Sequence, residues 1–151
     1  MESFKENKET LLAKAEEKRR QEIGEIASLL HENWRLTRFD ERTKQYRPRV
    51  KPTTDETWIQ THDGKKEIDI ANTSFDELPE DWKKENILAA EQALDLVKNA
   101  LVLIHDRWLE RNETDALAEQ KLRYANLPKE DKEKDLSVLQ KVLETFQGHL
   151  E

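Results

Sequence analysis

The chain has no cysteine and little glycine or proline: among 151 residues, Gly occurs three times and Pro four times. Without Cys there is no disulfide, no thiolate metal site and no cysteine nucleophile. With Gly24, Gly64 and Gly148 alone, a glycine-rich phosphate loop of the dinucleotide or Walker kind cannot be built. Apolar residues make up 35% of the chain, against about 45–50% in typical globular proteins. No run approaches the roughly 20 apolar residues of a membrane span, so no membrane partner is expected. Residues 1–21 lack the apolar stretch of a signal peptide, which makes a cytoplasmic location the expectation. A basic excess is missing too. The net charge of −7 argues against general nucleic-acid binding, where Lys and Arg must neutralise phosphates.

What is present is charge and repetition. Charged residues are 39% of the chain, so much of it must be solvated helix surface. The length suits one domain with one core shared by two halves. Leu29-Leu30-His31-Glu32-Asn33-Trp34 returns as Leu103-Ile104-His105-Asp106-Arg107-Trp108. Each copy is followed by an aromatic-x-x-Leu-Pro turn: Phe75 to Pro79, then Tyr124 to Pro128. An ordered pair of matches marks an internal duplication. From Phe75 to Val97 the chain aligns without a gap to Tyr124 to Phe146. Along that register Ile87/Leu136, Ala90/Leu139, Ala93/Val142, Leu94/Leu143 and Val97/Phe146 stay apolar at helical spacing. The two repeats are expected at about 23–99 and 100–147.

The period predicts a mainly all-α fold: a duplicated helical-hairpin core with pseudo-two-fold symmetry, a polar insert and an N-terminal leader helix over 1–22. Gly24 is read as a break or bend between the leader and a helix that carries Ile23, Ile26, Leu30 and Trp34 and ends near Arg38. The insert, Phe39 to Ser74, reads as loop with short extended pieces at Tyr46 to Val50 and Thr57 to Gln60, anchored to the core by Trp58 and Ile59. A helix is predicted from Pro79 to about Asn99, with His105 and Trp108 on a fresh or continuous helix to Arg111. The last helix is predicted from Pro128 to about Gly148. Glu113 to Arg123 replaces the long insert in the second copy. Function is expected in the elaborated first copy, because inserts on a scaffold commonly carry sites.

These residues resemble the ryanodine-receptor repeat (RyR) domain family, which also occurs as small bacterial and phage proteins. The resemblance rests on His31-Glu32-Asn33-Trp34-Arg35-Leu36-Thr37-Arg38, on Tyr46-Arg47-Pro48, and on Phe75-x-x-Leu78-Pro79 followed by Asn86. The second copy retains His105-x-x-Trp108 and Leu127-Pro128 with Lys132 and Asp135, so that Ile23 to Phe146 is covered. Family members often carry a Gly-Trp pair where this chain has Arg42-Thr43-Lys44-Gln45, so no stacking ring is supplied there. The resemblance implies one RyR-like domain over 23–151 with helix pairs related by a pseudo-two-fold. It also implies a binding module rather than an enzyme, with nucleotide-derived ligands in prokaryotic members.

His31 and Trp34 are three residues apart on one helix face, as are His105 and Trp108. Two readings stand. The four rings are core residues, each His bonded to backbone across the repeat interface, or the two pairs sandwich a flat ring in a groove between the repeats. Arg38 and Arg47, with Tyr46 and Arg111 alongside, are the candidates to hold an anion bidentately; the other reading is a solvated face paired with Asp40, Glu41 and Asp55. No catalytic residues and no metal ligands are expected: His31-Glu32-Asn33-Trp34-Arg35 lacks the second His of a zinc-protease helix, and the acidic pairs sit at helix starts that favour ionisation. No cofactor is expected. The expected partner is a small anionic, nucleotide-like ligand, or else a protein that meets the leader helix and the acidic surface.

Overall fold

The computed structural model describes residues 2–114, 116–118 and 120–148. The fold is mainly all-α, about 70% helical, with four α-helices and two small antiparallel sheets among the described residues. No helix among them is long and apolar enough to cross a membrane.

The first helix, α1 (Glu2–Leu36), is continuous, so the expected leader and the first repeat helix are one element. Gly24 does not break it. A glycine costs about 1 kcal/mol relative to Ala in a helix interior, too little to stop one flanked on both sides by Glu, Ala and Leu. Residues 3–18 are exposed, whereas Ile23, Ala27 and His31 are buried at four-residue steps. That stripe is where α1 joins the core.

The insert folds against it as two short hairpin-like pairs. The strands β1 (Phe39–Asp40) and β2 (Gln45–Tyr46) align Phe39 with Tyr46. The strands β3 (Val50–Pro52) and β4 (Glu67–Asp69) align Lys51 with Ile68. Between them Thr57 to Gln60, expected to be extended, is helical within α2 (Glu56–Thr61). The reason is a cap: the Asp55 side chain accepts from the Trp58 backbone N–H. Its other oxygen accepts from the Glu80 N–H at the start of the next long helix. The Glu80 and Trp58 bonds hold the Asp55 carboxyl below its ordinary value. Asp81 accepts from the Thr53 hydroxyl and the Thr54 N–H, so two adjoining carboxylate-bearing sites tie the insert to one helix start.

The core of this part is Ile68, Ile70 and Leu78, packed against Trp34, Trp58, Phe75 and Trp82. Two 3₁₀ turns, Ile70–Asn72 and Phe75–Glu77, lead to buried Leu78 and Pro79. The helix α3 (Glu80–Arg111) then runs without interruption through Asn99 and carries His105 and Trp108. The chain divides within α3, after Gln92, into two compact units. In the second unit, α3 is followed by a 3₁₀ turn at Tyr124–Asn126 and by α4 (Lys129–Gly148). Its buried positions include Leu101, His105 and Leu127.

A candidate binding cavity in the second unit

The two copies of His-x-x-Trp do the same local work. His31 Nε2 lies 2.8 Å from the carbonyl of Thr73, and His105 Nε2 lies 2.7 Å from that of Leu122. A carbonyl only accepts, so Nε2 carries the hydrogen in both rings. Two residues beyond each carbonyl sits the turn aromatic. Phe75 is 6.4 Å from His31 at 54°, and Tyr124 is 6.5 Å from His105 at 58°. Each His thus clips its own turn onto its own helix, and each bond is made inside one unit.

The other candidates of the first copy are engaged nearby. Arg38 donates from Nε to the Arg47 carbonyl and from Nη2 to that of Pro48, with its guanidinium 5.7 Å from the Trp34 ring centre. Arg47 donates back to the carbonyl of Thr37. Tyr46 packs edge-on against Phe39 and lies under the guanidinium of Arg35. These contacts fix the insert to the end of α1, where the two readings were an anion clamp and a solvated face paired with Asp40, Glu41 and Asp55. Arg111 is exposed at the last position of α3.

The second copy differs where the insert is missing. A cavity of about 320 Å³ opens there, lined by His105, Trp108, Gln120 and Leu127 together with Asp131, Lys134, Asp135 and Val138 of α4. The alignment of the copies explains the space. Trp82, part of the first core, becomes Asp131, and the short connection has no counterpart of Trp58.

Searches bring no relative to set beside this chain. Neither a family model, nor a curated protein, nor a solved structure matches it.

Within the cavity wall His105 Nδ1 faces Asp135 Oδ2 at 3.8 Å. That oxygen is buried and has no hydrogen-bond partner among the described residues. Burial pushes the Asp135 carboxyl above its ordinary value; His105 opposes the shift and the Asp131 carboxylate adds to it. The carboxyl therefore contributes stability that is full below the ordinary value of 3.8 and is lost as pH rises through its higher value in the folded state. The variant Asp135→Asn is expected to melt higher than the parent at pH 7, the two converging as pH falls toward 3.8. Melting curves across that range check it, and a lower melting temperature for the variant at pH 7 would contradict the assignment. Asn is tolerated at the matching place in the first copy, where Asn86 donates to the Trp82 carbonyl.

Sequence reasoning singled out His105 and Trp108, named Asp135 only as part of the resemblance, and passed over Gln120, Asp131, Lys134 and Val138. The signal was available in the gapless alignment. Two positions that are Trp82 and Asn86 in one copy are carboxylates in the other, one helical turn apart.

Proposed function

We propose that this chain is a non-enzymatic binding module whose ligand is a small flat molecule seated in the cavity of the second unit. The observation that supports this most is the cavity itself, whose 320 Å³ falls at the lower end of the roughly 300–1,000 Å³ of small-molecule sites. Trp108 offers a face for stacking, and Leu127 and Val138 supply apolar walls. The resemblance to RyR domains, carried here by His105-x-x-Trp108 and Leu127-Pro128, supports a nucleotide-like ligand whose base enters the cavity. An anionic group on such a ligand belongs outside, toward solvent, because Asp131 and Asp135 both line the wall. His31, Trp34, Arg38, Tyr46 and Arg47 are assigned to holding the insert, and Arg111 is given no part in this site.

A thermal-shift screen against mono-, di- and cyclic nucleotides, amines and simple anions tests the reading. A ligand present at a hundred times its Kd adds about 2.7 kcal/mol to the folded state. The expected result is a saturable rise in melting temperature that disappears in Val138→Trp, whose indole fills the cavity. Absence of any shift across the panel would sink the proposal.

A second reading, an interaction module for a protein partner, is favoured by the exposed apolar residues of α1: Phe4 at 78%, Leu11 at 67% and Leu12 at 61%. It requires that removing residues 1–21 abolish association while leaving ligand binding in the cavity unchanged.

A further inference from the structure

We infer that the cavity of the second unit takes a planar organic cation bearing N–H donors, of the amidinium or guanidinium type. This rests on the cavity being the ligand site. It departs from the anion that the sequence suggested, and the charges on the wall are the reason. Asp131 and Asp135 stand four residues apart on α4, hence on one face, and both line the space. Like charges at that spacing repel, and a cation between them removes the repulsion.

Neither carboxylate is strongly paired by the protein. Lys134 Nζ lies 3.8 Å from Asp131 Oδ1, beyond hydrogen-bond distance. Asp135 turns Oδ2, which is buried and has no hydrogen-bond donor among the described residues, toward the imidazole at 3.8 Å, and its side chain stays 14% exposed at the cavity wall. A buried carboxylate without a donor is costly to the fold. The first copy builds the same turn and helix with Trp82 and Asn86 in those places, so the helical framework does not require the acids. What the acids add is an acceptor pair beside an indole face. An indole attracts a cation by its quadrupole, and apolar neighbours strengthen that attraction by excluding water. Among the described residues no three His, Asp or Glu groups converge to hold a metal ion, and the indole of Trp108 in the same wall suits a planar organic cation.

Titration calorimetry with three isosteric probes tests this: benzamidine, a planar cation; benzamide, its neutral counterpart; and benzoate, the anion. Benzamidine is expected to bind saturably, benzamide at least about tenfold more weakly and benzoate not at all, tenfold being about 1.4 kcal/mol. Asp131→Asn and Asp135→Asn should each weaken benzamidine by about tenfold. Lys134→Gln, which removes a cation from the same wall, should tighten it, and Val138→Trp should abolish it. Circular dichroism confirms that each variant is folded, and Asp131→Asn, nearer the helix start, serves if Asp135→Asn is not. Equal binding of benzoate, or benzamidine binding unchanged in both Asp variants, would overturn the inference. Tighter binding of N-acetylarginine amide than of benzamidine would support it, with an arginine side chain as the source of the guanidinium. If benzamidine fails while another ligand binds in a manner lost in Val138→Trp, the cation inference falls and the binding module stands. If no ligand of any class binds, both fall.

Discussion

Leu78→Ala is expected to lower the unfolding free energy by about 3–5 kcal/mol, near the top of the range for buried leucines. The side chain is 3% exposed and meets Ile68, Ile70 and a ring of Trp34, Trp58, Phe75 and Trp82. Large aromatic neighbours cannot collapse into a leucine-sized void without leaving their own rotamers, so the cavity term is retained nearly in full. The same substitution at the matching position, Leu127→Ala, is expected to lose only about 2 kcal/mol. Leu127 is almost as buried, at 5%, yet one side of it already borders the 320 Å³ cavity. Fewer contacts are forfeited there because fewer exist. Urea unfolding, with hydrogen exchange to tell which unit responds, makes the comparison. Equal losses at the two positions would show that the second copy packs as tightly as the first and that its cavity closes in solution.

The likeness of the two copies was legible in the sequence because it is a matter of local rules. Proline at the mouth of a helix, an acidic first turn and apolar residues at three- and four-residue steps act over one or two turns, and a short alignment exposes them. The turns at Phe75 and Tyr124 and the helices α3 and α4 follow from those rules, with bounds within a residue of expectation for Pro79, Arg111, Pro128 and Gly148. What was missed depended on tertiary partners. Thr57, Trp58 and Ile59 are aromatic or β-branched and suit a strand by propensity, and Asp55 decides for helix by capping it. Gly24 looked like punctuation, but its neighbours carry the helix across it.

The site was harder to read. A pattern of His-x-x-Trp says which face of a helix is apolar, but not whether its space is filled. In the first copy the insert returns Trp58, Ile68 and Ile70 to fill it. In the second copy a short connection leaves it open, so the shorter unit keeps a cavity at a place that the elaborated unit fills. Arginines were likewise visible only as charge. Arg38 and Arg47 reach backbone carbonyls that lie ten or fewer residues away along the chain, and such local bonds leave no periodic trace.

Arg35 shows how much rests on one such side chain, and its removal is expected to cost about 2–4 kcal/mol. It is 14% exposed, donates from Nε to the carbonyl of Ala71 at 2.9 Å, and meets Glu32 from Nη1 at 2.7 Å. Its guanidinium also lies 4.7 Å from the Tyr46 ring centre. Glu32, so oriented, accepts from the Phe75 N–H with its other oxygen. One guanidinium therefore ties α1 to the turn at Ile70–Asn72, to the turn at Phe75–Glu77 and to β2. Arg35→Ala leaves the carbonyl of Ala71, a residue with no exposure, without its donor and leaves Glu32 without its cation. Arg35→Lys should recover little, since an ammonium cannot donate in two fixed directions while stacking flat on a ring. The second copy has Leu109 at the matching place, so it has no such clamp. Urea unfolding gives the loss, and amide exchange over residues 70–76 should accelerate in both variants. Full recovery by Lys would show that charge alone holds the insert; recovery of less than about half the loss would assign the work to the planar fork and its stacking.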